Sequence, residues 1–188
     1  MFKKFFPNEN ISSKSQVKSS VARGIRKNIL DQYPEFEKYA DEVFPKKETV
    51  VVAKCQNNLE LVIVNKEPIF YSYHGGPYLP TMKVLLRAPD MMKSVQVDKG
   101  AIKFVLSGAN IMCRGLTSPG GRLPDGLEAG EPVAIFAEGK VNPLAVGELA
   151  MSSEEIRIIE IRRAKNEGIG INLGHYLNDC LWQCTQIE

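Results

Sequence analysis

The 188-residue sequence holds one tryptophan, two histidines and four cysteines, and each scarcity narrows the chemistry open to it. Neither His74 nor His175 sits in a recognisable local pattern, and no HExxH, GxSxG or P-loop GK[ST] string occurs. The chain therefore reads as non-catalytic, although a triad whose members meet only in the fold would leave no local trace. Cys55, Cys113, Cys180 and Cys184 are scattered. His175, Cys180 and Cys184 fall short of the four closely spaced ligands of a structural zinc site, so the thiols read as packing. Neither a metal nor a cofactor is expected. The glycines of the 115–121 stretch lack the lysine and helix start of a nucleotide loop and read as turns. The opening MFKKFFPNEN has no apolar signal core, and no run approaches the ~18 apolar residues of a membrane span. The expectation is a cytoplasmic, disulfide-free protein.

What is present suffices for folded cores: 44% hydrophobic and 24% charged residues, with a net charge of +2. Charge is unevenly distributed. Through Leu30 the chain carries Lys3, Lys4, Lys14, Lys18, Arg23, Arg26 and Lys27 against Glu9 alone. From Asp31 to Glu48 the acids Asp31, Glu35, Glu37, Asp41, Glu42 and Glu48 outnumber Lys38, Lys46 and Lys47. Such a basic end beside an acidic patch suits RNA on one side and a protein partner on another. Two solvated helix faces are the plain alternative.

Periodicity predicts an α+β organisation. Ser13 and Gln16 have capping-box spacing at the head of a helix over 13–31, with Val17, Val21, Ala22, Ile25 and Ile29 as its apolar stripe. Arg23, Arg26 and Lys27 lie roughly opposite. A second helix after Pro34 carries Phe36, Tyr39, Ala40, Val43 and Phe44 and ends at Pro45. Strands over 49–55, 59–64 and 68–74 follow, joined by Asn57-Asn58 and Asn65-Lys66 turns. Gly75-Gly76-Pro77 breaks that meander, and a short helix over 81–87 closes the first part. The second part opens with strand 95–97 and a helix capped by Asp98 that carries Ala101, Ile102, Val105 and Leu106, with Gly108 at its end. A strand over 110–113, a loop over 115–130, and strands over 132–137 and 144–150 come next. Ser152 and Glu155 then cap a helix stapled by Met151 and Ile156 and reaching Asn166. Residues 168–182 read as extended. The predicted domains are 1–91 and 92–188.

The string DKGAIKFVLSGANIMCRGLTSPGG, with the later VAIFAEG and LAVGELAMSSEEI, resembles the core of PUA domains, compact pseudo-barrels that bind structured RNA. The agreement extends from MFKKF through the PKK of Pro45–Lys47 and the PT of Pro80-Thr81 to LTSPG, GIGI and HYLND. Taken whole, the chain is similar to the malignant T-cell-amplified sequence protein family. Cys180 in LNDCLW and the loop LPDGLEAGEP depart from the family pattern. The resemblance implies a translation factor of the small ribosomal subunit acting in non-canonical initiation, reinitiation and post-termination tRNA release and recycling. It also implies a density-regulated protein-like partner and a PUA barrel facing tRNA or small-subunit rRNA. The rival reading is an accessory RNA-binding subunit of an RNA-modification enzyme. Neither reading involves a membrane or a small-molecule substrate.

The residues expected to meet RNA are Lys99, Lys103, Ser107, Gly108, Ala109, Asn110 and Arg114. Lys99 and Lys103, four apart on one helix, would share a face, and the small Ser107-Gly108-Ala109 run would let backbones approach. Lys18, Arg23, Arg26 and Lys27 are the candidates for docking to the ribosome or partner. Ser118, followed by Pro119, is a candidate phosphorylation site.

Overall fold

The computed structural model describes residues 1–161 and 168–187. The chain forms two compact units whose ends are exchanged. Lys4–Met92 associates with Cys180–Glu188, and Lys93–Asp179 associates with Met1–Lys3. No helix among the described residues is long and apolar enough to cross a membrane.

The first unit begins with the short helix α1 (Pro7–Asn10) and strand β1 (Ile11–Gln16), then helices α2 (Ser19–Gln32) and α3 (Glu37–Val43). Strands β2 (Val50–Cys55), β3 (Leu59–Val64), β4 (Glu67–Tyr73) and β5 (Tyr78–Pro80) complete an antiparallel sheet in the order β1-β2-β3-β4-β5. Helix α4 (Met82–Arg87) follows. The meander forms because Val- and Ile-rich segments alternate with residues that accept left-handed backbone. Asn57, Asn58, Asn65 and Lys66 have φ of 59°, 55°, 50° and 66°. Ile25 and Ile29 of α2, Phe36 and Ala40 beside and within α3, and Leu61 and Phe70 of the sheet are buried. Phe36 meets Phe70 edge to face at a centroid distance of 5.3 Å. The returning C-terminal segment is tied in at Ile187, whose amide donates to Lys66 O at 2.8 Å, and at Lys83, whose ammonium donates to Cys184 O at 2.9 Å.

Two sequence expectations fail in this unit. The Ser13–Gln16 capping box does not exist. Those residues lie in β1, paired with β2 from Ile11↔Cys55 to Gln16↔Val51, and α2 starts at Ser19 with no side-chain cap. Side chains from Ser12 to Gln16 are exposed, so no hydrophobic pattern marks a strand; the backbone ladder to β2 decides the conformation. Val21 is consequently not on the apolar stripe but 48% exposed. After the Gly75-Gly76-Pro77 break the chain also returns as β5. Gln32 exchanges two hydrogen bonds with the Tyr78 backbone at 2.8 and 3.0 Å, and the Tyr33 hydroxyl donates to Tyr78 O at 2.6 Å.

The second unit contains β6 (Ser94–Val97), α5 (Ile102–Val105), β7 (Ile111–Met112), α6 (Cys113–Thr117), β8 (Pro132–Ala137), β9 (Ala145–Leu149), α7 (Ser153–Ile161) and β10 (Ile169–Tyr176). Its sheet runs β6-β8-β9-β10-β7 and curls into a half-barrel. Among the described residues only β6 and β8 pair in parallel. Val95, Val97, Ile111, Leu116, Val133 and Ile135 belong to its buried core. Here a capping box does form: the Ser152 amide donates to Glu155 Oε2 at 2.8 Å and the Glu155 amide to Ser152 Oγ at 3.3 Å. The expected extension of α7 to Asn166 falls beyond Ile161, outside the described residues. The expected loop from Gly115 instead begins inside α6. The expected extended segment stops at Tyr176, and Cys180–Gln183 of the first unit forms the short helix α8.

Candidate nucleic-acid interface

The candidate surface of the second unit is built on Asp98. Its Oδ1 accepts the Ala101 amide at 2.9 Å, setting the turn into α5, and its Oδ2 accepts the Ser118 hydroxyl at 2.5 Å. The helix spans only Ile102–Val105, so Lys99 lies in the preceding turn rather than on a helix face shared with Lys103. The Lys99 amide is held instead by Glu138 Oε2 at 3.0 Å. Arg114 follows the strand β7, as expected, and lies in the short helix α6. Lys99, Lys103 and Arg114 are all exposed, and none forms an ion pair among the described residues. Their charge is therefore available to a ligand.

The smaller residues divide by what their atoms already do. Ser107 donates its hydroxyl to Phe104 O at 2.7 Å, and Asn110 Oδ1 accepts the Leu173 amide at 2.9 Å, pinning β10. Gly108 has φ of +84°, and a Cβ there would lie 2.7 Å from Tyr176 Oη. Its lack of bulk thus serves internal packing as well as the left-handed helix end. Ala109 is exposed, its amide bound to Phe104 O at 3.0 Å.

Sequence reasoning overlooked Phe104. Between Lys103 and Val105 it looks like core, yet it is 55% exposed, with the Lys103 ammonium 4.9 Å from its ring centroid. The usable signal was its position: Ala101, Ile102 and Val105 already fill the inward face, leaving Phe104 no place there. An exposed aromatic ring beside an exposed cation has the chemistry to stack an unpaired base.

In the first unit the four predicted docking cations are not equivalent. Lys18 and Arg23 have no acidic partner among the described residues. Lys27 pairs with Asp31 at 2.5 Å. Arg26 is not opposite the apolar stripe. Its side chain is only 14% exposed, pairs with Asp41 at 2.7 Å and donates through Nε to Phe44 O at 3.0 Å.

The residues most easily imagined as reactive are occupied or unreactive. His175 Nδ1 lies 2.6 Å from Asp179 Oδ2 inside the second unit, with Phe2 edge-on to the imidazole at 5.5 Å. Burial, and then the Glu60 carboxylate, push the Cys55 thiol up to about 11, which keeps it protonated at neutral pH.

Residues 5–89 match the Pre-PUA-like domain family and residues 93–167 match the PUA domain family. The chain is 46% identical over 188 residues to the malignant T-cell-amplified sequence 1 homolog of Dictyostelium discoideum, covering 100% of both proteins. It is 45% identical over 183 residues to malignant T-cell-amplified sequence 2 of Homo sapiens, covering 97% of each. Among solved structures it is similar to a hypothetical protein from the archaeon Pyrococcus horikoshii, with a TM-score of 0.69, 24% identity and coverage of 92% of this chain and 99% of that one. It also resembles a PUA-domain protein from Thermoplasma acidophilum, with a TM-score of 0.62, 20% identity and coverage of 92% and 99%. At these identities the two structures speak for the fold alone. Full-length agreement with the curated relatives settles the assignment: the chain belongs to the malignant T-cell-amplified sequence family, with a Pre-PUA-like domain followed by a PUA domain.

Proposed function

We propose that the protein is a non-catalytic, cytoplasmic translation factor. It binds tRNA or small-subunit rRNA through its PUA domain and acts on the small ribosomal subunit in non-canonical initiation, reinitiation and post-termination release of tRNA. The observation that carries the RNA-binding part is that Lys99, Lys103 and Arg114 of the PUA domain are exposed cations with no acidic partner among the described residues, with the exposed Phe104 ring beside Lys103. Free cations neutralise phosphates and release counterions, and an open ring stacks an unpaired base; together they suit a single-stranded RNA end. Family membership supports the translation role and a density-regulated protein-like partner. Lys18, Arg23, Arg26 and Lys27 are the candidates for docking on the ribosome or the partner, Lys18 and Arg23 being the two with no acidic partner among the described residues. The burial of the His175–Asp179 pair and the raised Cys55 thiol support the non-catalytic reading.

The test is recovery of the tagged protein from native extract, probed for small-subunit rRNA, tRNA and a co-purifying partner. Enrichment of small-subunit rRNA over large-subunit rRNA is expected. Recovery of neither RNA would defeat the reading. So would a modified base or released phosphate, when the purified protein is incubated with tRNA and nucleotides, that disappears in His74→Ala or His175→Ala.

A further inference from the structure

We propose that a pocket in the first unit, between the β2–β3 turn and the end of β4, receives a guanine base carried by single-stranded RNA. The strand itself comes from the RNA-binding reading above, on which this assignment rests. The pocket has a volume of about 430 Å³. The buried Cys55 and Leu59 form its floor, and the exposed Lys54, Asn58, Glu60 and His74 stand around it.

Two turns shape the rim. Asn57 and Asn58 have φ of 59° and 55°, and His74 and Gly75 have φ of 51° and 69°. The His74 amide donates to Asn58 O at 2.9 Å, which ties one turn to the other. A side chain at left-handed φ is uncommon and persists where its surroundings hold it; here they keep an exposed imidazole at the pocket. The Asn58 amide nitrogen lies 3.2 Å from His74 Nδ1 and can only donate, so Nδ1 accepts and Nε2 carries the N–H. The exposed Tyr73 ring meets the imidazole edge to face at 4.2 Å.

Lys54 and Glu60 are partners across the β2–β3 ladder, yet neither forms an ion pair among the described residues. The pocket therefore keeps an unclaimed acceptor, the Glu60 carboxylate, together with two donors, the Lys54 ammonium and His74 Nε2–H. Guanine has the complementary pattern. Its N1–H and N2–H groups donate side by side, which a carboxylate accepts as a pair, and its O6 and N7 accept together. Adenine and cytosine would turn a ring-nitrogen lone pair toward the carboxylate, and uracil has a single donor between two carbonyls. Exposed imidazole and phenol rings add a surface for stacking. A metal ion or a covalent adduct fits less well. Among the described residues no three of His, Cys, Asp and Glu gather as ligands. Burial, and then the Glu60 carboxylate, push the Cys55 thiol up to about 11, so it stays protonated.

The experiment compares binding to the full chain of short labelled oligouridines that carry one central guanine or one central adenine, read by fluorescence anisotropy. Equilibrium dialysis compares guanosine monophosphate with adenosine monophosphate. The parent is expected to favour the guanine strand about tenfold, the discrimination of one paired base contact. Glu60→Gln keeps the shape and loses the paired acceptor, and His74→Asn keeps a residue that accepts left-handed backbone. Each should remove most of the preference with the circular dichroism spectrum unchanged. Lys99→Glu/Lys103→Glu should weaken both strands and leave their ratio intact. A parent that binds both strands equally, or a preference that survives Glu60→Gln, would overturn the guanine pocket and leave the RNA-binding reading standing. Strands that do not bind, with guanosine monophosphate bound by the parent and lost in Glu60→Gln, would overturn RNA as the carrier of the base together with the RNA-binding reading. Binding of neither strands nor nucleotide would overturn both.

Discussion

The two units spend their basic residues differently. On the PUA domain Lys99, Lys103 and Arg114 are exposed and have no acidic partner among the described residues. At the start of and along α2 of the Pre-PUA-like domain the cations divide: Lys18 and Arg23 have no acidic partner among the described residues, while Arg26 and Lys27 already hold Asp41 and Asp31. A count of positive charge treats these surfaces as alike. The structure shows that a cation contributes to a ligand only to the extent that it is not already occupied, and that an occupied one can be part of the scaffold.

The largest effect expected of this difference falls on Arg26. Arg26→Ala removes a charge-assisted hydrogen bond to the Phe44 carbonyl and the pairing with Asp41, and should destabilise the chain by about 2 kcal/mol. Arg23→Ala should stay within about 0.5 kcal/mol. Urea denaturation of the two variants checks the contrast, and equal midpoints would erase it.

Next in size is Phe104→Ala, expected to weaken binding of single-stranded RNA about tenfold, roughly 1.4 kcal/mol, while leaving thermal stability nearly unchanged. A drop in melting temperature without loss of affinity would make the ring a structural element instead.

Smaller still is the effect at Ser118. Its hydroxyl donates to Asp98 at 2.5 Å, and the Glu138 carboxylate crowds Gly120, so a phosphate on Ser118 would meet acids. Arg122 reaches Ser94 Oγ at 3.3 Å. Ser118→Ala should cost about 1 kcal/mol, and Ser118→Glu somewhat more through repulsion of Asp98. Calorimetry of the three proteins orders them. A glutamate variant as stable as the parent would show that the loop accepts negative charge. Least affected should be Lys27→Ala, which breaks a fully exposed i,i+4 pair and should shift stability by under about 0.5 kcal/mol in the same calorimetry.

The legible parts of the fold were those with local causes. Strands β2 to β4 were readable because Val and Ile runs are punctuated by asparagines with left-handed backbone. The Ser152–Glu155 box was readable because both partners lie within one turn. The Ser13–Gln16 spacing is chemically the same signal, yet pairing with β2, brought in from outside the segment, overrode it. Strand β5 was invisible because Gln32 and Tyr33, at the end of α2, hold it from a distance in sequence. At the candidate site the free lysines and Arg114 could be named from sequence. The internal engagement of Asn110 by Leu173 and of Gly108 by Tyr176 could not, since both partners come from the distant strand β10. Nor does anything in MFK or in the sequence after Asp179 signal that each end joins the other unit.

The central claim is that RNA meets the PUA domain at the α5 turn through unoccupied cations. The most direct measurement is filter binding of tRNA to Lys99→Glu/Lys103→Glu across a salt series. Affinity is expected to fall at least about tenfold near physiological salt and the salt slope to drop by about two units, with the circular dichroism spectrum unchanged. A variant that binds tRNA as tightly as the parent, with the same slope, would contradict it.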